Sequence, residues 1–179
     1  MKKIISILVT AIMMCMISIT AFATDNDDIE YQHYLGVIRD ADGNVVELVP
    51  MPYIYPYVDS VYTLPAGGTF TTYQYVPRTA FQLMFGFNDE DGNLVTTRDA
   101  KIKMAIYNSA SVGGTRYLVK SKTFSTNKED YGKYDEFAEI STSNISEARP
   151  YYNGVFTNVS NKEVTARLVV LSYDEWTDS

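Results

Sequence analysis

The side chains able to do chemistry in this sequence are few: one histidine, one cysteine and a scatter of carboxylates among 22 acidic residues. A serine hydrolase needs a base beside its nucleophile. His33 instead lies in the alternating run Tyr31, His33, Leu35, Val37, with no nucleophile signature beside any serine, and reads as a strand residue. Zinc is disfavoured by a single histidine and a single cysteine. Two carboxylates alone can hydrolyse a glycoside. Glu47, Glu136 and Glu139 fall on plausible strands, but no spacing marks a pair facing across a cleft. The sequence therefore points away from catalysis and implies no cofactor.

Metal chemistry has one candidate motif, and it occurs twice. Arg39-Asp40-Ala41-Asp42-Gly43-Asn44-Val45-Val46 is nearly repeated by Asn88-Asp89-Glu90-Asp91-Gly92-Asn93-Leu94-Val95. Asp40, Asp42, Asp89 and Asp91 would be the ligands. A calcium loop of the EF-hand type wants oxygen ligands at positions one, three and five, Gly at six and Glu at twelve. Counting back from the glycines puts Ile38 and Phe87 first, and counting forward puts Val49 and Arg98 twelfth. Both ends of the ligand set are missing, so each copy reads first as a hairpin turn.

Binding has better candidates than catalysis. Pro50-Met51-Pro52-Tyr53-Ile54-Tyr55-Pro56-Tyr57 places three prolines among alternating tyrosines. The prolines suit an edge or a polyproline-like crossing rather than a central strand. Tyr53, Tyr55 and Tyr57 would then form a row on one face, and Tyr73 and Tyr75 a shorter row in a strand over Thr69–Val76. Such rings either cover the open side of a core or stack on a sugar or a partner's aliphatic surface. The Asn108–Gly114 connection, with its paired glycines, is the expected mobile loop.

What positions these residues is an exported all-β chain. Lys2 and Lys3, an uncharged apolar run from Ile4 to Thr20 and Ala21-Phe22-Ala23 form a secretory leader over 1–23, cleaved after Ala23. An uncleaved anchor is the alternative; otherwise the only membrane contact expected is through the leader before its cleavage. Cleavage removes Cys15 and two of the 15 basic residues, leaving 13 basic against 22 acidic, a formal charge of −9. That acidity excludes nucleic acid as a partner, since phosphate backbones are repelled. A cysteine-free exported chain with a short Lys-Lys start suggests a bacterial product.

Beyond an acidic lead at 24–30, one domain is expected over 31–173, followed by an acidic tail at 174–179 that holds Trp176. Phe81, Leu83, Phe85 and Phe87 alternate as a core strand, read as one arm of a hairpin through Asp89–Asn93. Ile102, Met104 and Ile106 alternate against Lys101, Lys103 and Ala105, giving a strand with a basic outer face. Val164, Ala166, Leu168 and Val170 make the last strand, and one helical turn could fit within Asn144–Pro150. Nine to ten short strands with turn signals between them predict an antiparallel β-sandwich, immunoglobulin-like or jelly-roll, with a closed barrel as alternative.

The function expected is that of a secreted, non-catalytic interaction module at the cell surface or beyond. Its partner would be an extracellular protein or a glycan. A carbohydrate-binding module or small carboxylate glycosidase, and a secreted inhibitor or antibacterial factor, are the alternatives.

Overall fold

The computed structural model describes residues 34–51, 58–88, 91, 93, 95–127 and 137–173. The leader, the acidic lead, His33, the Tyr53–Tyr55–Tyr57 row, Asp89, Glu136 and the tail with Trp176 lie outside the described residues. Ten strands are present: β1 (Tyr34–Arg39), β2 (Val45–Pro50), β3 (Val58–Leu64), β4 (Thr69–Thr72), β5 (Ala80–Gly86), β6 (Lys101–Ser109), β7 (Tyr117–Ser125), β8 (Phe137–Thr142), β9 (Tyr151–Asn158) and β10 (Val164–Tyr173). They form a six-stranded sheet, ordered β2-β1-β4-β9-β6-β7, and a four-stranded sheet, ordered β3-β10-β5-β8. All pairings are antiparallel. The protein is an all-β sandwich, without a helix among the described residues and not closed into a barrel.

Period-two alternation builds the core. Phe81, Leu83 and Phe85 of β5, flanked by Leu168 and Val170 of β10 and Ala138 and Ile140 of β8, present one continuous apolar face. Ile38, Phe70, Phe156, Met104 and Ile106 present the opposing face from the larger sheet. Two glycines make room for core side chains, Gly154 between the layers and Gly36 within its own sheet, beside β4. A Cβ on Gly154 would collide with Leu83 from the other sheet, and one on Gly36 would meet the Phe70 ring at 2.5 Å. Tyr62 of β3 stacks on Phe70 across the layers, with ring centroids 5.1 Å apart.

The two Asp-x-Asp-Gly-Asn copies differ. The first is the β1–β2 hairpin turn, with Gly43 at φ 88°. The second does not join paired strands: β5 pairs with β10 and β8, and the chain crosses to β6 in the other sheet. Val95 N and Thr96 N both donate to Phe87 O, which folds the segment back without a partner strand for β5.

Two smaller expectations also change. Strand β6 continues through Asn108 and Ser109, both buried, so the connection is only the short turn after them. Residues 144–150 form a turn closed by Arg149 N to Ser146 O, not a helical turn. The Tyr152 hydroxyl accepts from Ser146 N at 2.9 Å and holds that turn to the sandwich.

Candidate functional site

The outer face of the six-stranded sheet is where polar, aromatic and cationic side chains converge, and cross-strand register places each of them. Residues directly opposite in paired strands share a face. Starting from Val37, the partners Leu48, Thr71, Val155, Ala105 and Ser121 run across all six strands on the side away from the core. Val37 and Ala105 are 5% and 3% exposed, yet neither belongs to the core cluster. Taller neighbours shade them. These side chains, short apart from Leu48 at the edge, form the floor of a trough perpendicular to the strands, about 24 Å long at the usual strand spacing.

Two rows make its walls. On one side Arg39, Thr69, Thr157, Lys103 and Thr123 are mutual partners, a row of hydroxyls and cations. On the other, Tyr107 of β6 lies between Asn153 of β9 and Leu118 of β7. The Arg116 guanidinium stands 5.8 Å over the Tyr107 ring. Asn153 is 3% exposed and its Oδ1 has no hydrogen-bond partner. A buried amide oxygen without a donor is costly and calls for an explanation. Here the residue faces the outward side of β9 rather than the gap between the layers, with its oxygen covered by neighbouring side chains.

The end wall is held rigidly. Gln74 Nε2 donates to Ser109 Oγ and Gln74 Oε1 accepts from Gly113 N, both at 2.9 Å. The turn expected to be mobile is thus pinned to the sheet. Gly113 takes φ 67°, where a glycine is favoured.

The tyrosines foreseen as a binding surface fare differently. Tyr75 is 7% exposed and its ring packs on Phe81 with centroids 5.5 Å apart, so it offers no face to a ligand. Its hydroxyl has no partner, and burial pushes its pKa far above the phenol's ordinary value. The cause is a one-residue excess: Thr71 pairs with Val155, but Tyr75, four residues on, bridges Tyr152, only three residues away. That bulge turns Tyr75 inward. Tyr73, half-buried, meets Tyr75 edge-on at 6.1 Å.

Of the candidate metal ligands, Asp40 serves the turn. Asp40 Oδ1 accepts from Asp42 N at 3.0 Å and Asn44 N at 2.9 Å, and Oδ2 accepts from Asn44 Nδ2 at 2.9 Å. The Asn44 amide, followed by these backbone donors, holds the Asp40 carboxyl below its ordinary value. Asp42 and Asp91 are exposed. Among the described residues no group of three or more His, Cys, Asp or Glu could hold a metal. Glu47 on β2 and Glu139 on β8 occupy edges on opposite sides of the sandwich and are not brought together. Glu139 accepts from Gln82 Nε2 at 2.6 Å.

One further opening lies between the sheet edges, an open cleft of about 390 Å³ lined by Val119, Lys120, Ser141, Thr142, Ser143 and Asn144. Lys120 Nζ donates across it to Ser141 O at 2.9 Å and ties β7 to β8.

Fold and face together define a β-sandwich with an open polar and aromatic sheet surface. No protein-family model matches the sequence, and no curated protein matches it. Among solved structures, the N-terminal CBM22-1–GH10 modules of an endo-1,4-β-D-xylanase from Clostridium thermocellum, complexed with xylohexaose, match with TM-score 0.34 and 10% identity. The match covers 69% of this chain and 27% of that one. A likeness that low says nothing of what this chain binds.

Proposed function

We propose that the protein is an exported, non-catalytic binding module that takes an extended ligand across the outer face of its six-stranded sheet. The observation that carries this reading is Asn153, a buried amide with an unpartnered oxygen on the outward side of a central strand, beside Tyr107 and above a floor of small residues. Ligand surfaces combine apolar area with a few placed polar groups in this way. The leader read over 1–23 supports export, and the separation of Glu47 from Glu139 supports a role without hydrolysis.

Filling the trough tests the reading. Ala105→Trp adds a large ring on the outward side of β6, at a position that does not belong to the core cluster. Retardation of the purified protein in gels containing cell-envelope or plant-wall polysaccharides should be lost in this variant, with the melting temperature kept. Binding that survives Ala105→Trp would place the ligand elsewhere. Release of reducing ends from any retarding polymer would overturn the non-catalytic reading.

A further inference from the structure

Charge is distributed unevenly over this molecule. The whole sequence has a formal charge of −7. Yet the outward positions of the six-stranded sheet, traced strand by strand through the register, include Arg39, Lys101 and Lys103 and no Asp or Glu. Arg116 adds a fourth cation at the Tyr107 end. Lys101, Lys103 and Arg116 are exposed, and none makes an ion pair with the described residues. The outer face of the smaller sheet is different: Asp59 and Arg167 neutralise each other at 2.6 Å, and Glu139 stands beside Gln82.

From this we infer that the ligand of the trough is an acidic polysaccharide, a glycan chain bearing carboxylates; the inference rests on the binding reading above. Its sugars lie along the floor from Val37 to Ala105, with Asn153 and Tyr107 on one wall. The Tyr107 ring backs the Arg116 guanidinium, which matches a carboxylate with paired donors. Lys103, four residues from Tyr107 along β6, is about 13 Å away at the usual rise and meets the chain on the opposite wall. A nucleic acid is the other common polyanion. The molecule's net negative charge opposes both polyanions alike, so the distinction rests on the buried Asn153 amide beside a narrow floor, which suits sugar hydroxyls, and on direct competition in the test.

The test is affinity electrophoresis of the purified protein in gels containing polygalacturonate, alginate or hyaluronate, with carboxyl-reduced polygalacturonate as the neutral match and a single-stranded DNA oligomer as the competing polyanion. At least one acidic polymer should retard the protein. Retardation should weaken with salt and by about tenfold in the Lys103→Gln/Arg116→Gln double variant, whose melting temperature stays that of the wild type. Equal retardation by the carboxyl-reduced polymer, abolished by Ala105→Trp, overturns the acidic ligand and leaves the binding face standing. Retardation indifferent to Ala105→Trp, or absent with all three acidic polymers, overturns the inference. Equal capture by the DNA oligomer also overturns it, in favour of unspecific attraction to polyanions.

Discussion

Closure of the sandwich depends on Gly154, and Gly154→Ala measures how tightly. The residue sits inward on β9, opposite Ile106, and a Cβ there would lie 3.0 Å from Leu83 Cδ1 and 3.2 Å from its Cγ, with Cδ2 nearer still. Leu83 is wholly buried in the facing sheet and has no solvent to retreat into. Overpacking of this kind costs about 1–3 kcal/mol, while stiffening the unfolded chain returns roughly 0.4–1 kcal/mol. The net expectation is a loss of about 1–2 kcal/mol, which for a domain this size lowers the melting temperature by roughly 2–8 °C. Urea unfolding followed by tyrosine fluorescence should show a lower midpoint with an unchanged slope. Leu83→Ala alone should cost about 2–5 kcal/mol. In the double variant the new methyl enters the space that leucine left, so the combined loss should fall short of the sum by roughly 0.5–3 kcal/mol. A Gly154→Ala protein with wild-type midpoint and melting temperature, or a strictly additive double variant, would refute the claim that this glycine lets Leu83 reach the opposite sheet.

Three further outcomes follow from polar groups. Tyr75→Phe removes a buried hydroxyl that has no partner, so it should leave stability unchanged or raise it by about 1 kcal/mol, and a loss beyond that size in urea unfolding would show that the hydroxyl is satisfied in solution. Asn158→Ala should cost roughly 2–3 kcal/mol, because its Nδ2 serves the carbonyls of Leu64, Pro65 and Lys162 at 3.1, 2.8 and 2.7 Å and its Oδ1 accepts from Ser160 N; a loss under 0.5 kcal/mol, read as about no change, would contradict that network. The Asp40 carboxyl is lowered in the folded state, so its contribution to stability is present above the unfolded value and lost as pH falls through the folded one. Carboxyl NMR should give Asp40 a midpoint below 3.8, and a midpoint at or above that value would remove the turn's bonds from consideration.

The strands were legible because burial writes a period of two into the chain. Phe81, Leu83 and Phe85, Ile102, Met104 and Ile106, and Val164 through Val170 were each recognisable by alternation alone, and each is buried as expected. Pairing was not legible in the same way. The Asp40–Asn44 and Asp89–Asn93 segments are almost the same local sequence, yet only the first joins neighbouring strands. A turn motif states that the chain reverses, and it does not state whether the next apolar face lies beside the last or across the core from it. That choice belongs to residues 49 or more positions away, and alternation is blind to them.

The same blindness hid the candidate site. Tyr75 looked outward because the count from Tyr73 assumed a regular strand, and the extra residue before the Tyr152 bridge reversed it. The trough joins Val37, Thr71, Val155, Ala105 and Ser121, whose only relation is lateral register, so no window along the chain contains more than one of them. Two local signals did point toward it. Lys101 and Lys103 alternate against an apolar face in an acidic protein, and Gly154 interrupts a strand where glycine normally marks a close approach. The lysines locate the cationic side of the sheet, and the glycine fixes β9 so close to the opposite layer that its neighbour Asn153, one position earlier, must point outward. On the proposed reading, a carboxylate-bearing chain on that side would meet the amide and the cations together, so the ligand's charge, more than its sugar identity, is the property the test must vary.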